Sequence, residues 1–308
     1  MVAWVCLLMA MGCAGALDHG CAPDSRGHIL DFHPAPSEFG DCNTRPRQVS
    51  EEDRRRFRDD GIVVMENFFS DEEVAAFQRV ALQTEDAPEN TAERDGVWKY
   101  FNLQSFQGQK ERKVLDRVEH FLDSVDGWSS LLRNGSRVQA VVSELLGEQA
   151  VLWKEKINLK KPGSDGFQAH QDVQAGWLES GQTVHVSVMV SIDAMTVENG
   201  CLEIVRGMNK QGFLGPLGKK LPDTVESSMK WERVLTTRKS IVVFDAFVPH
   251  RSKPNFSQGQ RRGLFATYIA ESEASLQTNR QAYYDKKRST FPPDSLKEAG
   301  RNYPGYQI

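Results

Sequence analysis

The sequence has few cysteines, little net charge and no hydrophobic run long enough to cross a membrane. Its 308 residues include five cysteines and carry a formal net charge of −4. Such a balance argues against a nucleic-acid or anionic-membrane partner. Internal repeats and low-complexity tracts are also absent, which excludes solenoid and fibrous architectures. What is present, 39% hydrophobic and 26% charged residues, is ordinary for a globular protein with a sizeable core.

The N-terminal segment differs from the rest of the chain. Residues 1–16 are nearly all apolar and end in Ala14-Gly-Ala16, which is typical of a signal-peptide cleavage site. The segment is too short to span a bilayer, so we expect no stable membrane anchor. We predict a signal peptide and a secretory-pathway or secreted protein; the alternative is an uncleaved leader on a cytoplasmic one. Residues 17–49 are predicted to be a loop-like linker, in which Cys21 and Cys42 can pair if the chain is secreted.

Residues 50–308 are predicted to form a single domain whose first half is helical. Ser50 and Ser70 each precede a run of acidic residues, as capping residues do, and predict helices that start directly after them. Two amphipathic stripes of apolar residues predict further helices over residues 114–125 and 138–146.

The second half of the domain has the pattern of β-strands. Residues 184–193 alternate between Val or Ile and more polar residues with a period of two. Residues 240–246 and 263–270 are further strand-like runs. This order predicts a mainly β fold, with helices packed on a mostly antiparallel core. His185 lies on the polar face of the first strand, and whether it lines an interior pocket stays open.

Three residues suggest a metal site. His170 and Asp172 are two positions apart, and His250 comes from a distant strand-like segment. Residues i and i+2 of a strand point to the same side, so His170 and Asp172 can bind one metal. Two histidines and one carboxylate on one face of a metal are the ligands of non-haem Fe(II) oxygenases.

A second set of residues predicts the co-substrate. Oxygenases of this type most often use 2-oxoglutarate, whose far carboxylate needs a planar, bidentate cation such as arginine. Arg261 follows His250 by eleven residues, and Ser252 offers a hydroxyl donor for the same carboxylate. Arg262 should face the other way, because neighbouring residues of a strand point to opposite sides.

These residues occur in blocks that resemble the phytanoyl-CoA dioxygenase-like family of Fe(II)/2-oxoglutarate-dependent oxygenases. The similarity runs from about Val49 to Tyr284 and rests on the following blocks: residues 60–69, 154–163, 170–172, 198–203 and 250–261. One departure concerns the substrate pocket: Val205-Arg-Gly-Met-Asn-Lys210 stands where the family usually has Pro-Gly-Ser-His.

The resemblance implies a fold and further site residues. It implies a double-stranded β-helix (jelly-roll, cupin-like) core buttressed by N-terminal α-helices. It also implies that Lys156 and Asn158, on one face of a strand, lie beside the co-substrate.

We therefore expect an Fe(II)/2-oxoglutarate-dependent dioxygenase that hydroxylates an unactivated C–H bond of a small molecule. Its cofactor is Fe(II), held by His170, Asp172 and His250, and its co-substrates are 2-oxoglutarate and O2. The alternatives are a secretory-pathway protein hydroxylase of the prolyl type and a non-catalytic cupin-like binding module. Asp172 argues against the binding module, and against a halogenase, in which a small residue replaces this carboxylate. An acyl-CoA, an amino acid, an aminophosphonate or a specialised metabolite would all fit as substrate.

Overall fold

Two antiparallel sheets and a set of helices make up the part of the chain that the computed structural model describes. The described residues are 49–104, 112–175, 184–275, 278–298, 301 and 303. The predicted leader and nearly all of the predicted linker, with Cys21 and Cys42, lie outside them. The mainly β fold with antiparallel pairing is confirmed.

Six α-helices and eleven strands lie in the described part of the chain. The helices are α1 (Glu51–Asp60), α2 (Asp71–Asp86), α3 (Trp128–Leu132), α4 (Arg137–Leu146), α5 (Asp223–Ser228) and α6 (Arg280–Thr290). The strands are β1 (Ile62–Met65), β2 (Trp98–Gln104), β3 (Arg112–Glu119), β4 (Ala150–Lys160), β5 (Phe167–His170), β6 (His185–Ser191), β7 (Leu202–Ile204), β8 (Glu232–Val234), β9 (Ile241–Asp245), β10 (His250–Ser252) and β11 (Arg261–Ala270).

Helix caps explain where two of the predicted helices begin and where a third one ends. The Ser50 and Ser70 side chains each accept a hydrogen bond from the backbone three residues later, and both capping boxes are complete. The helix predicted over 138–146 is α4, which ends at Gly147 in the left-handed conformation. These predictions from local signals are confirmed.

The larger sheet has the strand order β1-β9-β6-β11-β4-β3-β2, and its two faces have different surroundings. Val186, Val188 and Val190 of β6 belong to the main apolar core, together with buried residues of α2, α3 and α4. Met189, on the opposite face, belongs to a second apolar cluster with residues of the smaller sheet. One face of the large sheet therefore packs on helices, and the other faces the smaller sheet.

The smaller sheet, with the order β5-β10-β7-β8, supplies the opposite wall of the interior. Leu202, Ile204 and Val234 pack from it against Met189 and Phe244 of the large sheet. Two antiparallel sheets that enclose an interior are the architecture of a jelly-roll. The metal ligands predicted at His170 and His250 stand on the two adjacent strands β5 and β10.

The helix predicted over residues 114–125 is wrong. Residues 112–119 form β3, which is hydrogen-bonded to β2 on one side and to β4 on the other. Val114 and Val118 are four residues apart, a spacing that places them on one face of a strand as well as of a helix. His120 then turns the chain with φ of 52°, which a helix does not allow. Pairing on both edges outweighed a periodicity that fits either structure.

The C-terminal helix α6 covers the large sheet at β4. The Tyr284 hydroxyl donates to the Glu155 carbonyl oxygen at 2.9 Å. Arg280 binds the fully buried Glu155 carboxylate through Nε at 2.8 Å and through Nη2 at 2.5 Å. No helix among the described residues is both long and apolar enough to cross a membrane.

Candidate active site

The structure brings the three predicted metal ligands together on the paired strands β5 and β10 and on the turn that follows β5. His170 and His250 are direct cross-strand partners. Asp172 Oδ1 lies 3.9 Å from His170 Nε2 and 3.8 Å from His250 Nε2. These distances are too long for hydrogen bonds, so the three buried donor atoms do not satisfy one another. They surround a common point, as ligands of one metal ion do.

Asp172 reaches this point by a route that differs from the predicted one. The prediction that His170 and Asp172 lie on the same side of one strand is wrong. Strand β5 ends at His170, and Asp172 begins a 3-10 turn that runs to Ala175. The carboxylate therefore turns in toward the histidines from the first residue of this turn.

Hydrogen bonds behind the ligands fix which atom of each one is free. His170 Nδ1 lies 2.7 Å from the Gln168 carbonyl oxygen, and His250 Nδ1 lies 3.0 Å from that of Val248. Because a carbonyl oxygen only accepts, both Nδ1 atoms carry the proton and leave the Nε2 lone pairs for a metal. Ser187 Oγ donates to Asp172 Oδ2 at 2.7 Å, which leaves Oδ1 free. This donor set fits Fe(II).

The charge states of the ligands are also those that bind a metal. Burial and the neighbouring His250 lower the pKa of His170 to about 3, so its imidazole is neutral. Burial lowers the pKa of His250 as well. Burial alone would raise the pKa of Asp172, but His250 and Lys154 outweigh it and hold this pKa below its usual value. Neutral imidazoles and an ionised carboxylate need lose no proton before they bind a metal.

All four residues predicted to contact 2-oxoglutarate line one pocket together with the metal ligands. They are Lys156, Asn158, Ser252 and Arg261. Asn158 Oδ1 and Arg261 Nε are buried and have no hydrogen-bond partner among the described residues. Because buried polar atoms are normally satisfied, these two atoms indicate a polar ligand in the pocket.

Arg261 and Arg262 point to opposite sides of β11, as predicted. Arg261 is 2% exposed, and its Nη2 donates to the Gly200 carbonyl oxygen at 2.6 Å. The Arg262 side chain lies on the helix side of the sheet. It donates to both Asp193 carboxylate oxygens, from Nε at 2.8 Å and from Nη2 at 3.0 Å. The pocket therefore receives only the first of the two guanidinium groups.

Sequence reasoning missed two residues of this site. Ser187, which holds Asp172, belongs to the polar face of β6, so the period of two could have indicated it. Lys160 follows Lys156 and Asn158 on the same face of β4, and its Nζ donates to Ser252 Oγ at 2.6 Å. The open question of His185 is resolved in part: its ring is buried against Trp153, with 4.8 Å between the centroids.

Known proteins share this sequence pattern. The family model described as phytanoyl-CoA dioxygenase matches residues 57–263. The 2-aminoethylphosphonate dioxygenase of Uncultured bacterium HF130_AEPn_1 is 35% identical over 263 residues, which are 82% of this chain and 93% of that protein. The methylphosphonate hydroxylase of Gimesia maris is 36% identical over 180 residues, which are 57% of this chain and 65% of that protein.

Solved structures share the fold. EctD from S. alaskensis, in its structure with 2-oxoglutarate and 5-hydroxyectoine, matches with a TM-score of 0.60 and 20% identity. The match covers 88% of this chain and 90% of that one. The non-heme alpha ketoglutarate dependent carbocyclase SnoK from nogalamycin biosynthesis matches with a TM-score of 0.57 and 18% identity, over 74% of this chain and 86% of that one. The jelly-roll fold expected from the sequence is confirmed.

Proposed function

The chain belongs to the phytanoyl-CoA dioxygenase family, and from that premise we propose that it hydroxylates a small organophosphonate, a short carbon chain with an anionic phosphonate head. Its reaction class is that of the Fe(II)- and 2-oxoglutarate-dependent dioxygenases that act on small molecules. The small-molecule interpretation is favoured over the protein-hydroxylase alternative, because the relatives with the highest identity reported above are named for small phosphonates.

The observation that carries the choice of phosphonate is the relative that is 35% identical over 82% of this chain. That protein is named for 2-aminoethylphosphonate, and a second relative is named for methylphosphonate. Both molecules are small and have a phosphonate head next to a carbon that can be hydroxylated.

The charges on the inner face of β4 support an anionic substrate. Lys154 and Lys156 both interact electrostatically with Asp172. Burial is the main cause that lowers the pKa of each lysine. A bound anion raises these pKa values again, since it favours the charged ammonium. We propose that these lysines attract the phosphonate head to the metal side of the pocket; for Lys156 this role replaces the co-substrate contact expected from the resemblance.

In the proposed mechanism the residues of this chain hold the metal and orient the co-substrate. His170, Asp172 and His250 hold Fe(II), and Ser187 keeps the carboxylate turned toward it. Arg261 and Ser252 bind the far carboxylate of 2-oxoglutarate by charge-assisted hydrogen bonds. The bound iron supplies the oxidising chemistry that couples decarboxylation of 2-oxoglutarate to hydroxylation of a C–H bond.

The test compares acids that differ in the head group. Purified protein is loaded anaerobically with Fe(II), mixed with 2-oxoglutarate and O2, and offered 2-aminoethylphosphonate, methylphosphonate, 2-aminoethylsulfonate or β-alanine. Succinate release and the phosphorus NMR spectrum of the product are measured. We expect succinate above the uncoupled background, with a shifted phosphorus signal, for a phosphonate only. Turnover of the carboxylate or the sulfonate in preference to both phosphonates would contradict the proposal.

Two variants test the metal ligand and the pocket charge, and consumption of 2-oxoglutarate without substrate separates a wrong substrate from an inactive preparation. Asp172→Ala should release no succinate with any acid, because it removes a metal ligand. Lys156→Met should raise the KM for the phosphonate, because it removes a positive charge from the pocket. If 2-oxoglutarate is consumed without substrate but no phosphonate is hydroxylated, the enzyme class stands and the substrate class fails.

We also propose that residues 1–16 direct the chain into the secretory pathway, on the strength of the apolar run and its Ala14-Gly-Ala16 end. A fluorescent protein fused behind residues 1–40 should enter that pathway. The same fusion without residues 1–16 is the control and should stay in the cytosol. Cytosolic fluorescence from both fusions would contradict the proposal.

A further inference from the structure

Two buried basic residues are cross-strand partners beside the pocket. Lys160, the last residue of β4, is the direct cross-strand partner of Arg261. They are 1% and 2% exposed. Among the described residues neither one has an ion-pair partner. Like charges directly opposite each other destabilise a sheet, and buried lysine is rare unless it is paired. We therefore expect an anion to bind beside these two side chains.

The contacts of Lys160 determine how Ser252 can bond. The Ser252 hydroxyl oxygen accepts from Lys160 Nζ at 2.6 Å and from the Phe167 backbone N–H at 3.3 Å. A hydroxyl oxygen has two lone pairs and one hydrogen. Since both lone pairs are used, the hydrogen is left as a donor, and Ser252 lines the pocket with Arg261. Lys160 Nζ also donates to the Lys253 carbonyl oxygen at 2.5 Å, which fixes the ammonium in place.

We propose that Lys160 is a positioning residue of the 2-oxoglutarate site, which turns the Ser252 hydroxyl proton toward the far carboxylate and adds a second positive charge beside Arg261. The inference rests on the proposed placement of that carboxylate at Arg261 and Ser252. It also makes the site selective: a 2-oxo acid without a far carboxylate gains nothing from Lys160.

Proton uptake is a distinctive consequence of this arrangement. Burial and the neighbouring Arg261 lower the pKa of Lys160 to about 6, against smaller raising effects of Asp116, Cys201 and Asp165. Above pH 6 the free site therefore holds mostly neutral Lys160. A carboxylate that arrives beside it favours the ammonium and raises the pKa. Binding of 2-oxoglutarate at pH 8 is then expected to take up protons at Lys160, and its affinity to fall as the pH rises.

The experiment measures binding rather than turnover. Protein loaded with redox-silent Mn(II) is titrated calorimetrically at pH 8 with 2-oxoglutarate and with pyruvate, which lacks the far carboxylate. Each titration is done in two buffers of different ionisation enthalpy, so that the difference gives the number of protons taken up. The variants are Lys160→Met, Lys160→Gln, which keeps a donor without the charge, and Arg261→Ala. Lys161→Met is the matched control, because Lys161 lies at the surface and pairs with Glu85 at 3.7 Å.

We expect Lys160→Met to weaken 2-oxoglutarate binding by about ten- to hundredfold. Both Lys160 variants should lose the proton uptake and leave pyruvate binding unchanged, and Lys160→Gln should lose less affinity than Lys160→Met. Lys161→Met should behave like the wild type. Lys160 variants that still bind pyruvate are folded, and unchanged 2-oxoglutarate affinity in them would overturn the proposal.

The arginine variant identifies which assumption is at fault. If Arg261→Ala weakens 2-oxoglutarate binding but Lys160→Met does not, the carboxylate lies where we place it and the role of Lys160 is wrong. If neither variant weakens binding, the placement of the carboxylate is itself wrong and takes the inference with it.

Discussion

The two neighbouring arginines of β11 allow a sharp test, because one should serve ligand binding and the other stability. Arg261 lines the pocket and has a buried Nε without a partner among the described residues. A hydrogen bond to a charged group contributes roughly 1.5–3 kcal/mol. About 1.4 kcal/mol corresponds to a tenfold change in binding. Arg261→Ala should therefore weaken 2-oxoglutarate binding by about ten- to more than a hundredfold.

The control, Arg262→Ala, should have the opposite pattern. Arg262 binds Asp193 at 2.8 Å and lies 3.6 Å from Glu85, on the helix side of the sheet. Its removal leaves the largely buried Asp193 carboxylate without its cation, at a cost of roughly 1.5–3 kcal/mol in the free energy of unfolding. The affinity for 2-oxoglutarate should change little.

Calorimetric titration of the Mn(II)-loaded proteins gives the affinities, and urea unfolding gives the stabilities. Metal affinity without co-substrate should be the same in both variants. A larger loss of 2-oxoglutarate affinity in Arg262→Ala than in Arg261→Ala would refute the assignment of the two faces. Equal, unchanged affinities would show that the far carboxylate binds elsewhere.

Two further substitutions test the metal site and its support, and a glycine substitution with its control tests a close backbone approach. Asp172→Ala should abolish Fe(II) binding in an anaerobic titration, whereas chelated wild-type protein should regain activity when Fe(II) is added; metal binding by the variant would contradict the ligand set. Ser187→Ala should lower the Fe(II) affinity by about ten- to a hundredfold, because Asp172 loses the bond that orients it. Gly200→Ala should lower the unfolding free energy by more than the left-handed strain of about 1–2 kcal/mol, because its new Cβ would lie 2.1 Å from a backbone oxygen. Gly147→Ala, at φ of 79° with open space around it, is the control and should cost only that strain in urea unfolding.

The metal ligands could be predicted from the sequence, but the geometry that unites them could not. The prediction rested on residue types, because two histidines and a carboxylate, here His170, His250 and Asp172, bind metal together. It therefore held although the local structure at Asp172 was predicted wrongly. The strand assumed for Asp172 ends two residues earlier, because β10 pairs with β5 only as far as His170. Long-range pairing decides where a short strand ends, and a single sequence does not contain it.

Because a single sequence does not contain long-range strand pairing, neither the contact of Lys160 with Ser252 nor the strand β3 was predicted. Lys160 was on the predicted face of β4, yet only the neighbouring strand β10 makes it a partner of Ser252. The apolar spacing of residues 114–125 fits a helix and a strand alike, and pairing with β2 and β4 decided between them. Capped helices, by contrast, are specified by residues three positions apart, so their starts were predicted correctly.

The two faces of β4 give this enzyme a way to change its chemistry without endangering its fold. Ile157 and Leu159 face the helices, while Lys156, Asn158 and Lys160 are on the opposite face, where the first two line the pocket and Lys160 contacts Ser252. Point substitutions at the second set alter what is bound and leave the apolar packing intact. A single-residue insertion in the strand would instead exchange the two sets and destroy both. Combinatorial libraries for new substrates should therefore vary Lys154 and Lys156, the positions we assign to the substrate, and keep the length of β4 fixed.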